Sequence, residues 1–80
     1  MRVEVKLPQW GMGMSEGTIV AWKKAVGDEV VEGEPLAEVE AAKVNTDLEA
    51  PESGVLTEIL VPEGATVEIY TALAVIEVPD

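Results

Sequence analysis

The feature that most narrows the folds open to this chain is an internal repeat. Gly17 and Gly54, Gly27 and Gly64, Val30 and Val67, Leu36 and Leu73, Ala37 and Ala74, Val39 and Ile76, and Glu40 and Glu77 all match at one separation of 37 residues. Two copies of one supersecondary unit then account for most of the 80 residues. Within each copy apolar residues do not hold the i, i+3, i+4, i+7 spacing of a helix, and they recur in short β-branched runs. Arg2-Val3-Glu4-Val5-Lys6-Leu7 alternates without a break, and Pro8 ends it. Further strands are expected at 18–22, 29–31, 36–40, 44–50, 55–61, 66–69 and 73–78, parted by Gly-Asp, Glu-Gly-Glu-Pro, Pro-Glu-Ser-Gly and Pro-Glu-Gly turns. The chain therefore reads as all-β, eight short strands forming a small barrel or sandwich in a single domain spanning residues 1–80.

A four-stranded half would leave an apolar face in water, so the halves are expected to pack face to face about an approximate two-fold axis. The core of such a sandwich is expected to take Val3, Val5, Ile19, Trp22, Val30, Leu36 and Val39 from one half. From the other it is expected to take Leu48, Val55, Ile59, Val67, Leu73 and Ile76. The repeat breaks after Glu40. Adding the repeat length to position 43 reaches the last residue, so the segment there reads as a hairpin crossing between the halves, with no counterpart in the second copy.

Composition removes several classes of function. There is no Cys and no His, which excludes a disulfide framework, a zinc site and the usual nucleophile–base pairs. Sixteen acidic against five basic residues, a formal charge of −11, repel phosphate backbones and anionic bilayers, so neither nucleic acid nor membrane is an expected partner. No apolar run nears the ~20 residues a bilayer span requires. The carboxylates are spread along every segment and read as solvated strand faces. The chain is read as a non-catalytic protein of a cytosol-type or matrix-type compartment.

From Ala25 onward the only Lys or Arg is Lys43, in Glu40-Ala41-Ala42-Lys43-Val44-Asn45-Thr46-Asp47. The even positions Val44, Thr46, Leu48 and Ala50 are the less polar ones and should face inward. Parity then turns Lys43 outward, after a strand closed by Glu40 and a tight turn of small residues. A lone turn lysine that only adds solubility fits the same pattern. Lys23-Lys24, after Trp22, read as a solvated strand end, with Lys24 near an acid.

The residues around Lys43 match a known pattern. Leu7-Pro8 is followed by Gly11-Met12-Gly13-Met14-Ser15-Glu16-Gly17, then by Gly17-Thr18-Ile19-Val20-Ala21-Trp22 and Val26-Gly27-Asp28-Glu29-Val30. Gly33-Glu34-Pro35-Leu36-Ala37-Glu38-Val39-Glu40, Lys43, Glu49-Ala50-Pro51 and Ser53-Gly54-Val55-Leu56 complete the series. In this order and spacing the chain resembles the biotinyl/lipoyl-attachment domain family, and in particular its lipoyl members, over essentially all 80 residues. The resemblance implies a flattened eight-stranded barrel-sandwich of two four-stranded sheets. Its protruding hairpin would present Lys43 for covalent attachment of lipoic acid by a lipoate ligase or lipoyl transferase. Gly33 and Gly54 would hold turns, and Gly27-Asp28 a tight hairpin.

The implied activity is that of a swinging-arm acyl carrier in a 2-oxo acid dehydrogenase complex, as part of a dihydrolipoamide acyltransferase component. Its partners would be a thiamine-dependent 2-oxo acid decarboxylase, the acyltransferase catalytic domain and a flavin-dependent dihydrolipoamide dehydrogenase. Met12-Gly13-Met14 and Val44-Asn45-Thr46-Asp47 point to the pyruvate or acetoin type. The loop with Trp10 and Met12, and Ala42 and Val44 beside the lysine, would be read by those partners, while Met14 is expected to pack into the core. Ala42 replaces the acidic residue lipoyl domains usually carry before the lysine, and Glu40-Ala41 shares the start of the biotin-carrier motif. A biotin carrier and an unmodified structural module therefore stand beside the lipoyl reading.

Overall fold

The computed structural model describes residues 1–41 and 44–79. Eight strands follow in order: β1 (Arg2–Lys6), β2 (Glu16–Trp22), β3 (Glu29–Val30), β4 (Pro35–Ala41), β5 (Val44–Glu49), β6 (Gly54–Ile59), β7 (Thr66–Glu68) and β8 (Ala72–Glu77). They form two four-stranded antiparallel sheets, ordered β1-β8-β6-β3 and β5-β4-β2-β7. The all-β architecture and the two-sheet sandwich agree with the sequence reading, and the strands lie where expected to within two residues at their ends: β2 begins earlier, at Glu16, β6 ends earlier, at Ile59, and β4 runs on to Ala41.

The halves themselves do not form the sheets. Because β5 pairs with β4 and β1 with β8, the structural halves are β2–β5 and β6–β8 with β1, not the halves expected from sequence. Even so, each sheet holds three strands from one half and one from the other, since β3 and β7 cross over to pair with β6 and β2. Gly27-Asp28 accordingly forms a turn between sheets and not a hairpin. Its Gly27 N–H donates to Leu56 O at 2.7 Å and Asp28 O accepts from Leu56 N at 2.9 Å. The equivalents one repeat later are Gly64 N to Ile19 O at 2.6 Å and Ile19 N to Ala65 O at 3.0 Å. Nor does the β4–β5 hairpin cross between halves: both strands lie in one sheet, paired from Pro35↔Glu49 up to Ala41↔Val44.

The core contains Val5, Leu7, Met14, Ile19, Val30, Leu36, Ala37, Val39, Leu48, Ala50, Leu56, Val61, Leu73, Ala74 and Ile76. Trp22, Ile59 and Val67 pack partly against it. Met14 is buried, as expected from its place before β2. Two residues assigned to the core are not in it. Val55 is exposed, and Leu56 is buried in its place. The pairing of β6 with β8 slips between Leu56 and Glu58, so one extra residue on β6 reverses the alternation and lets Leu56 and Ile59 face the same side. The β2–β4 pairing slips at the matching place, between Ile19 and Ala21, which brings Ile19 and Trp22 to one face. Val3, at the outer end of edge strand β1, is only half-buried.

Gly54 does not hold a turn. It begins β6 opposite Val30, and a Cβ there would run into the Glu77 carbonyl and lie 2.8 Å from Ile76 Cγ2. The glycine lets β6 and β8 approach where the core is tightest.

The sandwich has an extent of 36 × 21 × 17 Å. At one end Val78 N donates to Met1 O at 2.7 Å, joining the first and last strands. At the other, the pairs Thr18↔Glu40 and Glu16↔Glu68, with Ile69 N to Ser15 O at 3.0 Å and Tyr70 N to Leu7 O at 2.7 Å, gather the β4–β5 hairpin, the 8–15 loop and the 68–71 turn.

Gly54→Ala should cost about 2–3 kcal/mol, because backbone and not a flexible side-chain end stands in the way. Denaturant unfolding that gives a loss under 0.5 kcal/mol would show that the strands can part there. Leu56→Ala should cost about 2–5 kcal/mol and Val55→Ala under about 1. The opposite ranking in the same titration would place the bulge elsewhere.

Candidate functional site

The site residues expected from sequence divide in two. Ala42 and Lys43 lie outside the described residues. Trp10, Met12 and Val44 are described, and they come together with Gly11, Met14, Ala41 and Thr46 around one cleft of about 270 Å³. The cleft sits where β4 and β5 end, so the two residues flanking Ala42 and Lys43 in the chain form one of its walls.

The loop supplies the other wall because Met14 anchors it. Met14 is buried, its N–H donates to Gly11 O at 3.2 Å, its carbonyl accepts from Gln9 Nε2 at 3.1 Å, and its sulfur faces Trp10 N at 3.4 Å. Met12, between these fixed points, is left fully in water, and Trp10 is 39% exposed. Trp10 also lines a second cleft of about 340 Å³ between edge strands β1 and β5, with Val5, Pro8, Leu48 and Ala50. Its ring therefore both covers the open side of the sandwich and presents a face to solvent. The inward parity of β5 holds for Leu48, Ala50 and Thr46, but Val44 is 60% exposed because the hairpin extends past the core.

The hairpin is stiffened on its outer face. Asn45 Nδ2 donates to Glu38 Oε2 at 2.6 Å, and Lys23 Nζ pairs with Asp47 at 3.0 Å. Arg2, Lys6 and Lys24 are likewise paired, with Glu58 at 2.8 Å, Glu4 at 4.0 Å and Glu34 at 3.1 Å. Each described Lys and Arg thus has a carboxylate partner. The Lys24 ammonium, helped by the Val31 N–H, holds the Glu34 carboxyl below its ordinary pKa. A lowered folded-state pKa means that this contact supports the fold at neutral pH and is lost as pH falls through that value.

Among the described residues no group of three or more His, Cys, Asp or Glu could hold a metal ion. Nor, among the described residues, is any helix long and apolar enough to cross a membrane. The arrangement around the hairpin is a strand pair whose backbone pairing continues to its last described residues, Ala41 and Val44, beside an apolar cleft. Ala41 and Thr46 were not among the expected site residues. The even-face parity of β5 pointed to Thr46, whereas Ala41 enters only because the loop folds against the hairpin.

Comparison with known proteins agrees with this geometry. Residues 3–76 match the family described as "Biotin-requiring enzyme", the biotinyl/lipoyl domain. The chain is 48% identical over 73 residues to the dihydrolipoyllysine-residue succinyltransferase component of the 2-oxoglutarate dehydrogenase complex of Staphylococcus saprophyticus, covering 91% of this chain and 17% of that protein. It is 42% identical over 76 residues to the acetyltransferase component of the acetoin cleaving system of Bacillus subtilis, covering 95% and 19%. With the acetyltransferase component of the pyruvate dehydrogenase complex of Corynebacterium glutamicum it shares 44% over 71 residues, covering 89% and 10%. The chain therefore spans a fifth or less of each of these relatives. A match that runs through both sheets and both sides of the β4–β5 hairpin makes this chain a member of the biotinyl/lipoyl-attachment domain family.

Proposed function

We propose that this chain is a lipoyl carrier domain in which Lys43 bears lipoate, and that the resulting arm shuttles acyl groups and electrons among the active sites of a 2-oxo acid or acetoin dehydrogenase complex. The observation that carries the reading is the coincidence of the family match over residues 3–76 with a β4–β5 pairing that continues to Ala41↔Val44, on either side of Ala42 and Lys43. Relatives from acyltransferase components support lipoate over biotin. Residues 1–80 act as one domain of such a component, in the bacterial cytoplasm or, in a eukaryote, the mitochondrial matrix.

The residues present fit the group. The pair Ala41↔Val44 fixes the chain on either side of Ala42 and Lys43, and the contacts of Asn45 with Glu38 and of Lys23 with Asp47 restrain the hairpin on one face. Lipoate, when attached, supplies a redox-active pair of sulfurs that a chain without Cys does not contain. An ordinary lysine, pKa near 10.4, is neutral only on the order of a few times in ten thousand at pH 7, so the ligase provides the base and this chain provides placement. Trp10, Met12 and Val44 form the apolar rim that partners read at the foot of the arm, and the acidic surface steers them if their own rims are basic. The thiamine-dependent decarboxylase, the acyltransferase and the flavin-dependent dehydrogenase are the partners this role requires. Relatives from 2-oxoglutarate, acetoin and pyruvate systems match to a similar extent, so assay with the three decarboxylases chooses among them.

Intact mass after incubation with ATP, lipoate and lipoate ligase should show one lipoyl adduct on the wild-type protein and none on Lys43→Arg. An adduct formed with biotin and biotin ligase instead would make it a biotin carrier, and no adduct with either would leave a structural module. Trp10→Ala should fold and accept lipoate normally, yet lose about 5–10-fold in kcat/KM for reductive acylation by the decarboxylase that best acylates the wild type, about 1–1.4 kcal/mol of transition-state binding. Wild-type acylation by that variant would remove Trp10 from recognition.

A further inference from the structure

The internal repeat provides a control for each of its own positions, and at one of them the two halves disagree. In the 31–34 turn, Gly33 N donates to Ala50 O at 2.9 Å, Ala50 N to Glu34 O at 2.9 Å, and Glu34 N to Val31 O at 2.8 Å. One repeat later the bonds recur: Tyr70 N to Leu7 O at 2.7 Å, Leu7 N to Thr71 O at 3.0 Å, and Thr71 N to Glu68 O at 3.3 Å. The backbone of the two turns is the same, and its third residue is left-handed in both, with φ +87° at Gly33 and +67° at Tyr70. Among the described residues Tyr70 is the one non-glycine with positive φ.

A side chain in this region is strained by the clash of its Cβ with the following carbonyl, and a bulky ring finds it less tolerable than Asn or Asp does. Such strain persists where something offsets it. Burial does so only weakly here, since Tyr70 is 61% exposed and lies outside the core cluster. The position itself does not call for tyrosine either, because its repeat-mate manages the same turn with glycine. The two turns differ in where they stand. Gly33 lies at the end where Met1 meets Val78, whereas Tyr70 lies at the hairpin end, beyond Glu68 on the strand that flanks β2. At 4.8 Å between neighbouring strands, the last described residue of β4, Ala41, is roughly 10 Å from β7 across the sheet.

The surroundings indicate the chemistry of a partner. Glu16 and Glu68 stand directly opposite each other in the β2–β7 pair, a like-charge juxtaposition that is unfavourable within the domain. An arginine laid over the ring of Tyr70 would gain a cation–π contact and reach these carboxylates at once.

Building on the carrier reading, we infer that Tyr70, with Glu16 and Glu68, is a specificity-determining docking point for an arginine on the basic rim of the thiamine-dependent decarboxylase that acylates the arm. Lipoate ligase must admit the lysine itself and works at the tip. An enzyme reached through the extended arm can also rest against the shoulder of the domain, where Tyr70 stands.

The test compares wild-type protein, Tyr70→Gly and Tyr70→Phe in three measurements. Relief of backbone strain and the extra freedom glycine gains in the unfolded chain oppose each other, so Tyr70→Gly should unfold at or above the wild-type midpoint. A fall of more than about 3 °C would mean that the ring serves the fold, and the inference would be overturned. Lipoylation by the ligase should proceed at the wild-type rate in all three proteins. In reductive acylation by whichever pyruvate, acetoin or 2-oxoglutarate decarboxylase best acylates the wild type, Tyr70→Gly should lose about 5–20-fold in kcat/KM, mostly through KM, with a weaker salt dependence. Tyr70→Phe, which keeps the ring, should retain at least half of the wild-type value. Unchanged acylation by Tyr70→Gly, or an equal loss in ligase turnover, would overturn the inference while leaving the carrier role intact. A wild-type domain that takes no lipoate would instead overturn the carrier role and this inference with it.

Discussion

The exchange of β3 and β7 between the sheets is the constraint on which the rest of this structure depends. Each exchanged strand is only two or three residues long, too short to hold its place by side-chain packing alone. One reciprocal pair of backbone hydrogen bonds beside each strand fastens it instead. Gly27 and Asp28 clamp Leu56, and Gly64 and Ala65 clamp Ile19. Both clamped residues are fully buried, so the bonds lie where water cannot compete for them and where leaving them unmade would be costly. A chain without disulfides or metal ligands thereby ties its halves together, and the β4–β5 hairpin inherits a base that cannot rotate relative to the opposite sheet.

The strands were legible because their signals are local: alternation within six or seven residues and turn residues at the breaks. Parity failed where one residue was inserted. Strict alternation counted back from Ile59 selects Val55, whereas the repeat aligns Ile19 with Leu56 and Trp22 with Ile59, so the longer-range signal already held the right answer. The bulges at Val20 and Thr57 reconcile the two. The strand exchange was not legible, since pairing as short as Glu29↔Val55 and Val30↔Gly54 leaves too few side chains to write a pattern. At the site, Trp10, Met12 and Val44 could be named from the order of the motifs, as could Lys43, which lies outside the described residues. The cleft that joins three of them depends on the burial of Met14 and on the hairpin overrunning the core, which are tertiary facts.

Charge is distributed to the same end. Arg2 reaches across β8 to Glu58, and Val75, between Glu4 and Glu58 in the ladders on either side, is left without exposed surface on the outward side of its sheet. Long side chains used in this way cover apolar surface with their stems, so the pair serves packing more than Coulomb attraction, which is weak for exposed partners. With the described cations taken up by carboxylates of the domain, the surplus acids set the sign of the field that an approaching protein meets. That field is non-specific. Selectivity must come from the few apolar and aromatic groups that break the acidic surface at the hairpin end.

A two-fold frame makes two equivalent ends, and a carrier needs them to differ. In one half β4 and β5 are joined through Ala42 and Lys43; at the matching place in the other, β8 and β1 are separate strands whose ends, Met1 and Val78, bond to each other. Any continuation of the chain from these strands leaves there, at the far end from the hairpin. Substitutions near Met1 and Val78 can therefore be governed by packing alone, as Gly33 is, while those around the hairpin answer also to whatever docks against it. Departures from the repeat that the fold itself does not need should then gather at the hairpin end, and the left-handed tyrosine at position 70 is one of them. The symmetry of the core thus separates residues that hold the fold from residues that present it.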